Sequence, residues 1–249
     1  MNIYQELHKF NDIIYKDSDH SYLIDGIPQI SGTKLVSKYK EPFDTQGMAL
    51  KYAIKHNLDV NDVLADWDLK RNNSTTKGTA VHSYAEFSLA NKKFEAELPD
   101  HLIEAYNKCC TIFDKFHEDS RKSLIPVKSE VVVGDKEFGV CGMLDQLFWN
   151  EKSQEYQIWD WKTNKEINKF SKFKKKMLTP IHYLAECEFN TYALLLSLYR
   201  YIIERNTQIK IGSSYLLHIT ELKDTYEVIK VPYYENEINK MLLLYKLTG

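Results

Sequence analysis

Two aspartates and a lysine carry the most chemistry in this chain. Asp145 closes the run Gly142-Met143-Leu144-Asp145, and Asp160 opens the run Asp160-Trp161-Lys162-Thr163 fifteen positions later. Val131, Val132, Val133, Val140, Leu144, Leu147 and Phe148 surround the first acid, while Tyr156, Ile158 and Trp159 lead into the second. Such β-branched and aromatic runs predict strands. Side chains i and i+2 of a strand share a face, so Asp160 and Lys162 point into one site. Carboxylates on neighbouring strands can share a hard divalent cation. An ammonium beside them can hold a water or a phosphate oxygen. That combination suits phosphodiester cleavage, although an isolated D-x-K also occurs on solvated strand faces.

A second group lies upstream, in Gly78-Thr79-Ala80-Val81-His82-Ser83-Tyr84-Ala85-Glu86. Val81, Ala85 and Leu89 follow helical spacing, with Thr75, Thr76 or Lys77 at the start of the helix. His82 and Glu86 are i and i+4 and share a face. An imidazole and a carboxylate so placed can serve one metal as ligand and supporting group. They can equally be a buried histidine bonded to its own helix neighbour. Glu130, opening the strand Val131 to Val133, is a further candidate acid or a surface charge at a strand end.

The elements that must position these groups are legible in outline. Ile13-Ile14-Tyr15 and Tyr22-Leu23-Ile24 suggest a hairpin, and a helix follows Ser31 and Thr33 from about Lys34. Gly47 to His56 and Asn61 to Lys70 read as two helices, the second capped by Asn61. The Gly78 to Asn91 helix carries His82 and Glu86. Pro99 to Ser120 forms a long helix with apolar positions at Leu102, Ala105, Tyr106, Cys109, Ile112, Phe113 and Phe116. Strands Val127 to Val133, Phe138 to Trp149 and Tyr156 to Lys162 come next, followed by a helix from Ala185 to Arg205. Strands Lys210 to Thr220 and Tyr226 to Val231 and an amphipathic helix, Tyr234 to Leu247, close the chain. This order predicts an α/β fold, a mixed central β-sheet flanked by helices.

Taken in order, these motifs resemble the PD-(D/E)XK nuclease superfamily in its RecB-like exonuclease branch. That family's pattern is a G-T-x-x-H-x-x-x-E helix, an acidic strand residue, a G-x-x-D strand, a D/E-x-K strand and a Q-x-x-x-Y helix. Gly78, Thr79, His82 and Glu86, then Glu130, then Gly142 and Asp145, then Asp160 and Lys162 match it. His20-Ser21-Tyr22, Asp25-Gly26, Ser31-Gly32-Thr33-Lys34-Leu35, Pro42-Phe43-Asp44, Val63-Leu64 and Trp67 are similar to stretches of phage nucleases and of the mitochondrial genome maintenance exonuclease. In the last motif Tyr199 takes the tyrosine position and Leu195 that of the glutamine. A second register, Glu188 with Tyr192, fits the apolar periodicity less well.

The resemblance implies a restriction-endonuclease-like core and Mg²⁺- or Mn²⁺-dependent hydrolysis of DNA. The implied mode is exonuclease action on single-stranded ends in phage or mobile-element DNA metabolism. It implies metal ligation by His82, Asp145, Asp160 and the Trp161 backbone carbonyl, with Lys162 activating water. Glu86 and Glu130 become outer ligands or orienting groups, and Tyr199 a contact to DNA or to the lysine. A structure- or sequence-specific endonuclease, or a binding protein that kept the fold, is the alternative.

Composition bounds the rest. With 249 residues, 43% of them hydrophobic, the chain can bury a sizeable core, and its 9 Gly and 6 Pro form no linker. A single nuclease domain is expected over 1–249. Residues 1–75 form a helical N-terminal elaboration, 76–232 the catalytic core and 233–249 a C-terminal helix. No apolar run approaches the ~18 residues of a membrane span, and no signal peptide is apparent, so a soluble intracellular protein is expected. For a phage-encoded chain this means the cytoplasm of a bacterial host. Cys109, Cys110, Cys141 and Cys187 form no C-x-x-C. The cysteine pattern of cluster-bearing relatives is absent, so no iron–sulfur cluster is expected.

The net charge of -2 marks no general polyanion binder. Seven lysines nevertheless crowd between Lys162 and Lys176, with Phe170 and Phe173 among them. A solvated loop is one reading; a strand guide beside the D-x-K motif is the other. Lys172, Lys174, Lys175 and Lys176, with Ser31 and Thr33, are the candidate nucleic-acid contacts, and single-stranded DNA the expected partner.

Overall fold

A computed structural model describes residues 2–171 and 173–248 of the protein. The chain opens with α1 (Ile3–Leu7), a 3-10 turn (His8–Phe10), β1 (Ile13–Lys16), β2 (Ser21–Ile24), β3 (Ile27–Ser31) and α2 (Gly32–Ser37). Three helices follow: α3 (Thr45–His56), α4 (Val60–Leu89) and α5 (Asp100–Ser120). Next come β4 (Leu124–Asp135), β5 (Val140–Asn150), β6 (Glu155–Lys162), α6 (Glu188–Asn206), β7 (Ile211–His218), β8 (Glu227–Val231) and α7 (Glu235–Thr248). All eight strands join one sheet in the order β1-β2-β3-β5-β6-β7-β8, with β4 on β5. The β3–β5 and β6–β7 pairs are parallel and the others antiparallel. The mixed α/β sheet is the one the strand and helix order predicts.

Helices cover both faces of the sheet. Alternation in β6 sends Ile158 to a core shared with Leu194, Leu198 and Ile202 of α6 and Met241 of α7. Trp159 and Trp161 enter a second core with Val81 and Ala85 of α4 and Phe113 and Phe116 of α5. Trp161 meets Phe113 edge-on, with ring centroids 5.5 Å apart. The two tryptophans thus anchor β6 on one side while Asp160 and Lys162 point to the other.

The pairing of β5 shapes the site. β4 pairs with β5 from Val140 to Asn150 and so occupies one edge of it. β3 pairs with Val140 and Cys141, β6 pairs with Gln146 to Asn150, and both use the opposite edge. Residues 142–145 have no strand partner there. The G-x-x-D segment therefore lines a fork between the ends of β3 and β6.

Two expectations about helices are corrected. The predicted helices Asn61 to Lys70 and Gly78 to Asn91 are one helix, α4, capped by Asp59, whose side chain accepts from Asn61 N at 2.7 Å. Nothing between Arg71 and Lys77 stops a helix; Ser74, Thr75 and Thr76 are tolerated in its interior. The expected boundary between residues 75 and 76 falls inside α4. Within the N-terminal segment the expected hairpin is present as β1 and β2, and β3 continues it into the sheet.

Candidate active site

The site is built across β4, β5 and β6. Ser129↔Gln146 and Val131↔Leu144 bracket Glu130, so it stands opposite Asp145. The β5–β6 register, Gln146↔Trp159, extrapolates to Asp145 opposite Asp160. Three acids thus occupy one row across three strands. Glu130 leaves the ladder with φ of +47°, a left-handed conformation rare for a residue with a Cβ. The expectation that Glu130 opens a strand is corrected: it interrupts one of twelve residues. The longer strand arises because Pro126 is accommodated beside a bulge before Lys128.

From above the row, α4 delivers His82. Its Nδ1 lies 3.4 Å from Asp145 Oδ2. That carboxylate oxygen also accepts the Trp161 N–H at 2.6 Å across the fork. The Lys162 carbonyl accepts from Ile219 N on the β7 side. By strand alternation the Trp161 peptide groups face β5, so its carbonyl is directed towards the fork. Among the described residues, His82, Glu130 and Asp145 each offer a donor atom within 4.8 Å of the others. Donors bound at about 2.0–2.2 Å to one ion fall within that separation. One imidazole and two carboxylates form a mixed nitrogen and oxygen donor set of the kind that divalent cations accept.

Asp160 is not a member of that three-donor group and pairs with Lys162. The Lys162 ammonium lies 4.8 Å from the centre of the Tyr192 ring. Glu86, one turn beyond His82, remains outside the three-donor group, although its charge helps to raise the Glu130 pKa.

Electrostatics reflect the crowding. Burial, then the Asp145 charge, pushes the Glu130 carboxyl up to about 8. Burial also raises Asp145, but the His82 charge and hydrogen bond, Lys162 and the Trp161 N–H outweigh it and hold this carboxyl below its usual range. Asp160 is raised by burial, only partly offset by Lys162. Burial disfavours the charged forms of His82 and Lys162. The neighbouring carboxylates, Asp145 for His82 and Asp160 with Asp145 for Lys162, overcome it and raise both. One carboxyl kept ionised beside others pushed towards neutrality is the pattern expected where acids converge.

Small residues admit these close approaches. A Cβ on Gly142 would overlap the Tyr199 ring. A Cβ on Gly78 would sit 3.2 Å from Thr163 Oγ1, so α4 can run close to the end of β6. Behind this point Lys77, 7% exposed, pairs with Glu221 at 2.5 Å and ties α4 to the segment after β7. Nothing in the sequence pattern identifies that pair, because its partners are 144 residues apart.

The expected role of Tyr199 is corrected. Tyr199 is buried in the centre of the α6 stripe, against Gly142 and Gly32. It is 5% exposed, and burial together with the nearby Asp160 and Asp145 charges raises the pKa of its hydroxyl. Tyr192 takes the place over the lysine. Glu188, one turn earlier, accepts from Asn168 N at 2.8 Å and Nδ2 at 3.0 Å. The second register is the one that meets the site, because a tyrosine at the margin of an apolar stripe can turn its ring outward and one at its centre cannot. Leu195 packs on the core beside Gly32.

The other candidates are more scattered. Ser31 caps α2, accepting from Lys34 N at 3.2 Å, and Thr33 is exposed. Lys174 and Lys176 are exposed, and Lys175 pairs with Glu41 at 3.1 Å. Lys172 lies outside the described residues. The four cysteines are free and buried. Among the described residues no helix is long and apolar enough to cross a membrane.

No protein-family model and no curated protein matches the chain. Among solved structures it is similar to SSO0001, at 11% sequence identity and a TM-score of 0.34, over 98% of this chain and 82% of that one. A likeness at that score carries no argument about function.

Proposed function

We propose that this protein is a metal-dependent nuclease of the PD-(D/E)XK type that hydrolyses DNA phosphodiesters, acting as an exonuclease on single-stranded ends. The observation that carries this reading is the convergence of His82, Glu130 and Asp145 beside the Asp160–Lys162 pair at one fork of the sheet. Neither the order of these residues in the chain nor the needs of a core calls for it. A bound Mg²⁺ or Mn²⁺ would supply charge neutralisation at the phosphate and a more acidic water.

The protein groups divide the remaining work. His82, Glu130 and Asp145 would hold the cation, with the Trp161 carbonyl as a further donor. Lys162, oriented by Asp160 and backed by the Tyr192 ring, holds the attacking water and stabilises charge on the phosphoryl oxygens in the transition state. Asp160 is either the partner that aims Lys162 or, on turning, a fourth donor. Digestion of end-labelled single- and double-stranded DNA and RNA with Mg²⁺, Mn²⁺ or EDTA tests the reading. Shortening from an end only with metal supports it, and an inert wild-type protein in all conditions overturns it. Cleavage of covalently closed circles would replace exonuclease with endonuclease action.

A further inference from the structure

A groove of about 770 Å³ runs between the segment joining α2 to α3 and the segment after β6. Pro42, Phe43, Asn168, Phe170, Phe173 and Glu188 are among its lining residues. Phe43 is 65% exposed, Phe170 83% and Phe173 77%. Three phenylalanine rings left in water around one concavity contribute little to folding, and such patches mark binding surfaces.

The charges around them sort by position. Acids sit in the walls: Glu41 is paired with Lys175, Asp44 caps α3 through Gly47 N, and Glu188 holds Asn168. Glu186, also lining the groove, has a buried carboxylate oxygen with no hydrogen-bond partner. A phosphate would be repelled by such walls. A nucleobase would not, because its flat faces suit the phenylalanines and every base carries an edge N–H that a carboxylate can accept. Basic groups lie at the margins: Lys51 lines the groove, and the exposed Lys169 and Lys174 directly adjoin lining residues in the chain. The lining residue Glu188 also relates the groove to the candidate active site along α6. Glu188 starts α6, and Tyr192, one turn of about 5.4 Å further on, lies over Lys162.

We infer that this groove is a base-binding cleft for single-stranded nucleic acid, with Phe43, Phe170 and Phe173 as stacking surfaces and Lys51, Lys169 and Lys174 following the phosphates. The inference rests on the proposed nuclease function for its link to the metal site. The aromatic faces select a single strand, since the bases of a duplex already stack on one another.

Binding of fluorescein-labelled oligothymidylate, measured by anisotropy in EDTA, tests it without any cleavage. The triple variant Phe43→Ala, Phe170→Ala, Phe173→Ala should bind at least about tenfold more weakly than wild type, given the usual strength of base–aromatic stacking. Affinity for a duplex of equal length should change far less. Phe170→Trp should retain binding, and oligothymidylate should quench the new indole. An unchanged affinity in the triple variant, with an unchanged thermal melt, overturns the cleft; it would then take a protein segment or nothing. An equal loss for single strand and duplex overturns it too. A wild type that binds through the cleft yet digests no nucleic acid with Mn²⁺ removes the nuclease reading and leaves the cleft standing.

Discussion

Three carboxylates in one row repel one another, and each of them is tuned by what it touches. Asp160 and Lys162 form a buried pair, so removing one partner leaves the other uncompensated. Asp160→Asn and Lys162→Ala should each lower cleavage by more than ~100-fold while the circular dichroism spectrum is retained. Wild-type rates in both, in preparations free of contaminating nuclease, would remove these residues from the reaction.

Glu130 offers a test without substrate. Its folded pKa is raised from the ordinary 4.5 to about 8, so the folded state holds that proton more tightly. The associated stability is complete below the ordinary value and is lost as pH rises through the folded one. Glu130→Gln keeps the neutral form at every pH. In EDTA it should stabilise the protein above pH ~8 by about 1–3 kcal/mol and change little below the ordinary value. Thermal melts at the two extremes that shift equally would show that the charge is not the cause.

Elements hold the residues in place through packing that leaves no room for change. Gly142 lies under the Tyr199 ring, which itself packs on Gly32, so α6, α2 and β5 meet at one point. Gly142→Ala should destabilise the protein by about 1–3 kcal/mol, as overpacking in a filled core does. Tyr199→Phe should disturb stability rather than catalysis. Tyr192→Ala, at the other margin of α6, should do the reverse by freeing Lys162, and Tyr192→Phe should preserve activity because the ring is what faces the ammonium. Equal kcat values in Tyr192→Ala and wild type would show that the ring does not hold the lysine. On α4, Glu221→Ala should strand the buried Lys77 ammonium and cost about 3–5 kcal/mol in a denaturant titration.

For the molecule as a whole, the metal should be a stabilising ligand. Mn²⁺ at about 100 times its Kd adds about 2.7 kcal/mol to the wild type, which for a chain of this size raises Tm by about 5–10 °C. His82→Ala and Asp145→Asn should lose most of that increment. Because Glu130 must shed its proton to bind, the Mn²⁺-dependent increment should grow as pH rises through about 8. An equal increment in both variants would place the ion elsewhere. The lysine segment acts at the same scale. Neutralising Lys172, Lys174, Lys175 and Lys176 together should reduce the slope of log K against log salt by ~0.7 for each phosphate that these ammonium groups no longer neutralise. Lys175, already paired with Glu41, should contribute least. An unchanged slope would make the run an ordinary charged loop.

Local pattern determined much of this protein. Strand alternation around Asp145 and Asp160, the His82–Glu86 helix face and the apolar stripe of α6 depend only on near neighbours in the chain, so period and spacing disclose them. Tertiary structure decided what depends on distant chain segments. β3 and β6 share one edge of β5, and that fork, absent from any local pattern, leaves Asp145 free to meet His82 and the Trp161 N–H. It made Glu130 a member of the donor group by turning its backbone, and it put Tyr192 rather than Tyr199 over Lys162. Periodicity ranks Tyr199 first because it measures how well a residue fits the core stripe. A residue fully within that stripe faces the core, so Tyr199 meets the site only from behind, at Gly142 and within reach of the Asp160 and Asp145 charges.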